Sequence, residues 1–267
     1  MSGDAAYEKV TAYVEDEIGF ATSHYNDSYL KRRLSSRMRR TGATDYEEYF
    51  DVLAGNDEEA AALLDSLSIN VTGFFRNPDV WEGIRGVLRD LSADNDRVHV
   101  WSAACADGRE PYSLAMLAMD DPRVDAEKFH FYGTDINEKS LQTAQYGEYA
   151  SSRTVDIEDQ LSYLSNFHTY VERSGDSFRM TERVRRKVTF AKHDLINDES
   201  KSGFDLVVCR NLFIYIDNEY KKPILQTIAE SLKPGGCLVI GKAETIPPQL
   251  KSAFEVLDGR LRIYRRE

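Results

Sequence analysis

The 267-residue chain reads as an α/β protein with an all-helical N-terminal part and a small inserted antiparallel β-subdomain. Three observations predict this. Residues 5 to about 90 carry only helical spacing of apolar side chains. From about Arg97, short β-rich runs alternate with helical patterns, the βαβα order of a mostly parallel sheet with helices on both faces. Between Gly147 and Lys187 lies more chain than a crossover helix needs. The expected division is therefore 1–90 for the helical domain with its linker and 91–267 for the sheet domain, with 148–187 as the insertion.

In the first part, Tyr7, Val10, Val14 and Ile18 fall three to four apart, one face of an amphipathic helix. Leu30, Leu34 and Met38 repeat the pattern inside a basic helix, and Gly42 ends it. Thr44 with Glu47 reads as a capping box for a helix carrying Tyr46, Tyr49, Phe50 and Leu53. Another helix begins near Asp57 with Ala60, Leu63, Leu64 and Leu67, and Pro78 opens a last one with Val80, Trp81, Ile84 and Leu88. The strand candidates are Val98–Trp101, Phe129–Gly133, Val188–Lys192, Phe204–Cys209 and Cys237–Gly241. Leu232-Lys233-Pro234-Gly235-Gly236 makes a sharp helix-to-strand turn before the last of these. Phe254 to Tyr264, around Asp258-Gly259, reads as an antiparallel edge hairpin. A smaller hairpin around Gly175-Asp176 fills the insertion.

The bulk numbers set limits. The chain has 34 basic and 45 acidic residues, a net charge of −11, which disfavours nucleic acid as a partner and suits a cytoplasmic protein. Cys105, Cys209 and Cys237 lie far apart with no paired spacing, so they read as reduced thiols, Cys209 and Cys237 in the core, and no metal site is expected. The start, Met1 to Glu8, lacks an apolar stretch and is no signal peptide. No run approaches the roughly 18 apolar residues of a membrane span.

The chemistry gathers where strands end. Val100 to Ser113 reads as strand, loop and helix start, the place where α/β proteins hold small ligands. Gly108 is its only glycine, so no phosphate-binding G-x-G-x-x-G is present. A cofactor without phosphates fits better, and S-adenosylmethionine has that form: adenine, ribose and a charged amino-acid tail. Glu110 then suits an ammonium or hydroxyl of the cofactor, or is a first-turn helix acid. Asp135 ends the second strand, where a carboxylate accepts ribose hydroxyls; its alternative is a helix N-cap. Asp194, followed by Leu195, suits the adenine amino group and ring, or is a solvated loop acid. Asn211 and Tyr215 follow the fourth strand at the same edge, and Tyr215 equally suits a buried aromatic. Asn70, Thr72 and Arg76 stand beside Phe74 and Phe75 in a second run suited to gripping a polar ligand with a flat part.

Taken together, these runs resemble the CheR family of chemoreceptor glutamate methyltransferases. The resemblance extends from about Tyr29 to Tyr264. It rests on Arg32-Arg33-Leu34-Ser35-Ser36-Arg37-Met38-Arg39, Asn70-Val71-Thr72-Gly73-Phe74-Phe75-Arg76, Trp101-Ser102-Ala103-Ala104, Glu110-Pro111-Tyr112-Ser113, Thr134-Asp135-Ile136 and Cys209-Arg210-Asn211-Leu212-Phe213-Ile214-Tyr215. It implies a Rossmann-like methyltransferase sheet with S-adenosylmethionine held between it and the helical domain. Asn70, Thr72, Arg76, Glu110, Asp135, Asp194, Leu195, Asn211 and Leu212 would hold the cofactor, with Arg76 and Tyr215 nearest the transferred methyl. The substrate would be glutamate side chains on the cytoplasmic domain of methyl-accepting chemotaxis receptors, without membrane insertion, and the enzyme a monomer. Arg33, Arg37, Arg39 and Arg40 would dock an acidic receptor helix, the alternatives being a solvated charged face or a nucleic-acid contact. The hairpin around Gly175 is a further candidate for receptor docking. Two departures stand out. Arg109 replaces the first of two acids before Pro-Tyr-Ser, and Lys242 stands where the family often has His, which would put a positive charge near the active-site mouth. The rivals are a methyltransferase for another acceptor and a non-catalytic scaffold that binds the cofactor.

Overall fold

Val98, Val100, Phe129, Phe131 and Val188 alternate with more polar residues, so three neighbouring strands turn one apolar face to the same core. That core belongs to a seven-stranded sheet seen in a computed structural model, which describes residues 3–67 and 72–267. The chain divides into two units, Met1–Ile69 with Phe213–Lys221, and Asn70–Leu212 with Lys222–Glu267.

The first unit holds α1 (Gly3–Asp16), α2 (Asp27–Thr41), α3 (Tyr46–Leu53) and α4 (Asp57–Leu67). Its core is rich in tyrosine: Tyr7, Tyr29 and Tyr49 are buried with Val10, Leu34, Leu53 and Leu63. Asn26 caps α2 by accepting from the Tyr29 N–H, and Gly42 closes it at φ 81°. The expected Thr44–Glu47 capping box is displaced by one residue. Asp45 is the cap of α3, accepting from the Glu47 and Glu48 N–H groups, and Glu48 reaches back to the Thr44 N–H at 2.8 Å. The carboxylate of Asp45 competes better for those donors than a hydroxyl does.

The second unit opens with α5 (Pro78–Asp94), whose Trp81, Ile84 and Leu88 are buried with the strand residues of the sheet. Helical pattern alone grouped this segment with the N-terminal helices; packing groups it with the sheet. Then follow β1 (Val98–Ala103), α6 (Arg109–Asp120), β2 (Phe129–Asp135), α7 (Glu138–Tyr146), β3 (Glu148–Ala150), α8 (Ile157–Leu161), β4 (Val171–Ser174), β5 (Ser177–Met180), α9 (Glu182–Arg185), β6 (Val188–Lys192) and β7 (Phe204–Cys209). The excursion Phe213–Lys221 into the first unit ends within α10 (Asn218–Ser231), and β8 (Leu232–Ile240), β9 (Phe254–Asp258) and β10 (Ile263–Arg266) follow.

The sheet order is β6-β2-β1-β7-β8-β10-β9, parallel from β6 through β8 and antiparallel at the β10–β9 edge. Each expected strand is present, and β3, β5 and β4 form the small antiparallel sheet of the insertion. β8 begins earlier than expected, because Leu232 already pairs with Phe204 and the Pro-Gly-Gly turn is absorbed as an irregularity of register. Strand order reverses between β1 and β7. A crevice therefore opens beyond their C-terminal ends, where doubly wound folds place ligands.

Candidate functional site

The loops at that edge are strained. Six non-glycine residues among those described have positive φ, and five of them lie in just three loops: Phe75 and Asn77, Ala104 and Ala106, and Asn211. A left-handed conformation is costly for such residues and persists only where surrounding contacts enforce it. Here the contacts are specific. The Ala106 N–H donates to Asp135 Oδ2 at 2.7 Å, and the Cys105 N–H to the Thr134 carbonyl at 2.8 Å. The Phe74 N–H donates to Gln160 Oε1 at 2.9 Å and the Phe75 N–H to Ser113 Oγ at 3.1 Å. The Asn211 N–H donates to Glu244 Oε2 at 3.1 Å.

Two of these loops are tied by one guanidinium. Arg210, directly after β7, has a side chain only 2% exposed. Its Nη1 donates to Glu110 Oε2 at 3.2 Å, and its Nη2 to the Arg76 carbonyl at 2.8 Å and to Asn77 Oδ1 at 3.0 Å. The guanidinium lies over the Trp81 ring, 5.5 Å from its centre, while the indole N–H also donates to the Arg76 carbonyl at 3.0 Å. Glu110 accepts a further bond from Ser102 Oγ at 2.9 Å. Burial pushes the Glu110 carboxyl above the ordinary range, although Arg210, Ser102 and Arg76 pull it back. Glu110 does sit in the first turn of α6, but its bonds run to Arg210 and Ser102, so it is more than a helix-dipole acid.

Asp135 is buried, and its Oδ1 accepts from the Asn137 N–H at 2.9 Å. It is not the cap of α7: Asn137 is, accepting from the Ser140 N–H. Burial raises the Asp135 carboxyl against the pull of its backbone bonds. A carboxylate offers about four acceptor sites, and backbone N–H groups of Ala106, Ile136 and Asn137 take three, so capacity remains for a ribose hydroxyl. Asp194 is less free. Its Oδ1 accepts from the Ile196 N–H at 2.8 Å and its Oδ2 from the Asn197 amide at 2.8 Å, so it holds its own loop. Leu195, in the loop after β6, and Leu212, after β7, are buried, and Asn211 is half-buried. Thr72 and Arg76 are half-buried, and Asn70 lies outside the described residues.

Sequence reasoning missed Arg210, Asn77, Trp81 and Glu244 as parts of this site. Arg210 stood in plain view beside Asn211, but an arginine in an apolar strand end carries no pattern that assigns its partners. Glu244 is buried and also accepts from the Gly241 N–H. A Cβ on Gly241 would lie 2.5 Å from that carboxylate and 2.9 Å from the Asn211 nitrogen, so the glycine is needed for close approach. Both departures find local partners. Arg109 pairs with Asp107 through Nη2–Oδ2 at 2.7 Å, and Lys242 with Asp79 at 2.7 Å. The charge expected of Lys242 is thus answered by a neighbouring carboxylate.

In the first unit, Tyr215 is half-buried with its ring 4.9 Å from that of Tyr29. Its segment is tied in by the Asn26 N–H, which donates to the Tyr215 carbonyl at 3.0 Å, and by a Tyr25–Ile216 bridge. The basic helix α2 does not present all its arginines. Arg37 grips the carboxylate of Glu59, Nε to Oε1 at 3.0 Å and Nη2 to Oε2 at 2.5 Å, with Tyr49 donating to Glu59 at 2.7 Å. Although burial alone would raise it, the Arg37 pair and the Tyr49 bond hold Glu59 below the usual range. Arg37 is therefore corrected from a docking residue to a structural one. Arg33 lies along the Tyr29 ring, 5.0 Å from its centre, and Arg39 and Arg40 are exposed.

The second unit thus offers a buried carboxylate at the end of β2, Asp135, a half-buried one in the first turn of α6, Glu110, strained loops that fix backbone groups around them, and no glycine-rich phosphate cradle. That donor set fits a cofactor with hydroxyl and ammonium donors and no phosphate, which S-adenosylmethionine is. By fold and site this is the cofactor domain of an α/β transferase. The comparisons agree: residues 70–263 match the CheR methyltransferase, SAM binding domain, and residues 5–68 the CheR methyltransferase, all-alpha domain. A chemotaxis protein methyltransferase of Listeria monocytogenes is 35% identical over 246 residues, covering 90% of each chain. One of Listeria innocua is 33% identical with the same coverage, and one of Escherichia coli is 28% identical over 90% of this chain and 84% of its own. The chain belongs to the CheR methyltransferase family and is an S-adenosylmethionine-binding methyltransferase.

Proposed function

We propose that the protein transfers a methyl group from S-adenosylmethionine to glutamate side chains of chemotaxis receptors, giving γ-glutamyl methyl esters for sensory adaptation. The observation that carries this reading is the buried Glu110–Arg210 cluster bonded to the Arg76 carbonyl, within a family whose relatives are named for methylation in chemotaxis. No described helix is long and apolar enough to cross a membrane, which suits an enzyme that meets receptors at their cytoplasmic domain.

When bound, S-adenosylmethionine supplies an activated methyl on a sulfonium. Glu110 would accept from the amino-acid tail and Asp135 from the ribose, while Asp194 with Leu195 and Asn211 with Leu212 would border the adenine. A glutamate side chain is ionised at neutral pH, so no general base is needed. Its oxygen forms the new O–C bond as the C–S bond breaks and the electron pair stays on sulfur. The protein's work is alignment and exclusion of water. Arg76 would orient the glutamate through one oxygen and leave the other to attack, and Tyr215 would line the methyl path. Loss of one negative charge then biases the receptor helix electrostatically. Arg33, Arg39 and Arg40 would supply the positive face for that acidic helix.

The experiment is transfer of tritiated methyl from S-adenosylmethionine to membranes bearing the organism's receptors, followed by mild base. Volatile methanol from a receptor-sized band supports the ester. Label that resists base, or no label despite calorimetric binding of S-adenosylhomocysteine, would favour another acceptor or a non-catalytic scaffold.

A further inference from the structure

The opposite end of the sheet carries a second hollow. Parallel sheets are normally covered on both faces. Here residues 193–203 join β6 to β7 without a helix, and one face of β6, β2 and β1 is left partly open. His99, His130 and Tyr132 are half-exposed on that face, and Thr189 and Ala191 are exposed. His99 pairs with His130 across the β1–β2 register, so the imidazoles stand side by side at the strand starts. His130 packs edge-on against Tyr132, with ring centres 4.5 Å apart.

A cavity of about 620 Å³ opens there, and His99 also borders a neighbouring hollow of about 670 Å³. The first is lined by five cations, Arg97, Lys128, Arg183, Arg186 and Lys187, against two carboxylates, Glu127 and Glu182. Lys187 pairs with Glu127 at 2.9 Å, and Arg186 pairs with Glu182. Lys128 donates to the Ser92 carbonyl, a neutral acceptor, at 2.8 Å. Arg97 and Arg183 are exposed and form no hydrogen bond or ion pair among the described residues. A positive hollow on a chain of net charge −11 runs against the protein's overall field. Burial, with the charges of His99 and Lys187, holds the His130 imidazole below its ordinary value, as crowded positive charge should.

We propose that this hollow is a binding site for a small phosphate-bearing ligand with a planar ring, of the nucleoside diphosphate class. Guanidinium forks at Arg97 and Arg183 match phosphate oxygens, and the His99 and His130 rings, which line the same hollow, offer faces for a base. The cavity volume is that of a small-molecule site. It lies at the N-terminal ends of the strands, about 20 Å along the strand direction from the loops at their C-terminal ends. Occupancy there is therefore separable from the cofactor.

The test is calorimetric titration of the full chain with ADP while S-adenosylhomocysteine is saturating, so that the adenosine moiety has no access to the cofactor loops. ADP should bind once per chain, at least tenfold tighter than either pyrophosphate or adenosine. Arg97→Glu and Arg183→Glu should each weaken ADP at least tenfold, with melting temperature and S-adenosylhomocysteine affinity unchanged. Lys251→Glu, the same charge reversal at an exposed site elsewhere, should leave ADP affinity as it was. Three results would each overturn the proposal: absence of ADP binding, ADP affinity indifferent to Arg97 and Arg183, or equal affinity for pyrophosphate, which would remove the role of the rings.

Discussion

Replacing Arg210 with alanine tests the centre of the site. The substitution removes three bonds at once: to Glu110 at 3.2 Å, to the Arg76 carbonyl at 2.8 Å and to Asn77 at 3.0 Å. It leaves the half-buried Glu110 carboxylate with the Ser102 hydroxyl bond and the more distant attraction of Arg76, without its closest cation. Breaking a buried ion pair from one side costs about 3–5 kcal/mol, chiefly because the other charge is stranded. At about 1.4 kcal/mol per decade, that is roughly two to three and a half decades in the folding equilibrium. Both tryptophans, Trp81 and Trp101, lie in the second unit, so their fluorescence during urea unfolding reports on this unit directly.

Two controls sharpen the result. Adding Glu110→Gln to Arg210→Ala removes the stranded charge and should recover part of the loss, with a coupling of about 1–3 kcal/mol in the double-mutant cycle. The sign of the pH effect follows from the raised Glu110 carboxyl. Without Arg210 the carboxyl titrates higher still. The destabilisation is therefore full above its folded-state pKa and shrinks as pH falls and Glu110 takes up its proton. The milder Arg210→Lys keeps the charge but not the fork. It should weaken S-adenosylhomocysteine by about tenfold in calorimetry, the loss of one charge-assisted bond. Stability within about 0.5 kcal/mol of the parent, or strict additivity of the two substitutions, would refute the reasoning.

Arg76→Ala and Tyr215→Phe should both lower turnover in the methanol-release assay, Arg76→Ala more severely; near-normal methylation by Arg76→Ala would remove it from the reaction. Arg39→Glu with Arg40→Glu should weaken receptor methylation in a salt-dependent way and leave S-adenosylhomocysteine affinity and melting temperature unchanged. Arg37→Ala, by contrast, should destabilise the first unit by about 3–5 kcal/mol, seen as a lowered melting temperature by circular dichroism. Because the folded-state pKa of Glu59 is depressed, its stabilising share is present above the ordinary glutamate range and is lost as pH falls through the depressed value. In Arg37→Ala that acid-sensitive share should disappear.

Much of this protein was written locally. The alternation in Val98–Trp101 and Phe129–Gly133, the helix face of Tyr7, Val10 and Val14, and the Asp258-Gly259 turn each encode their element within a few residues, because backbone periodicity and turn stereochemistry act at that range. The strand end bearing Asp135, the helix start bearing Glu110 and the loop bearing Asn211 were legible for the same reason: a βαβ rhythm fixes which end of each strand faces the crevice. What the sequence could not say is who answers whom. Arg37 and Glu59 are 22 residues apart, Arg210 and Glu110 are 100 apart, and Arg210 and Asn77 are 133 apart. Arg37 looked like its neighbours Arg39 and Arg40 until α4 placed a carboxylate beside it. Periodicity is a property of one segment, whereas the neutralising of a buried charge depends on the partner that packing delivers. Tertiary structure alone decided which arginines are spent inside the protein, which stay exposed, and that one face of the sheet lies open at the end away from the strained loops.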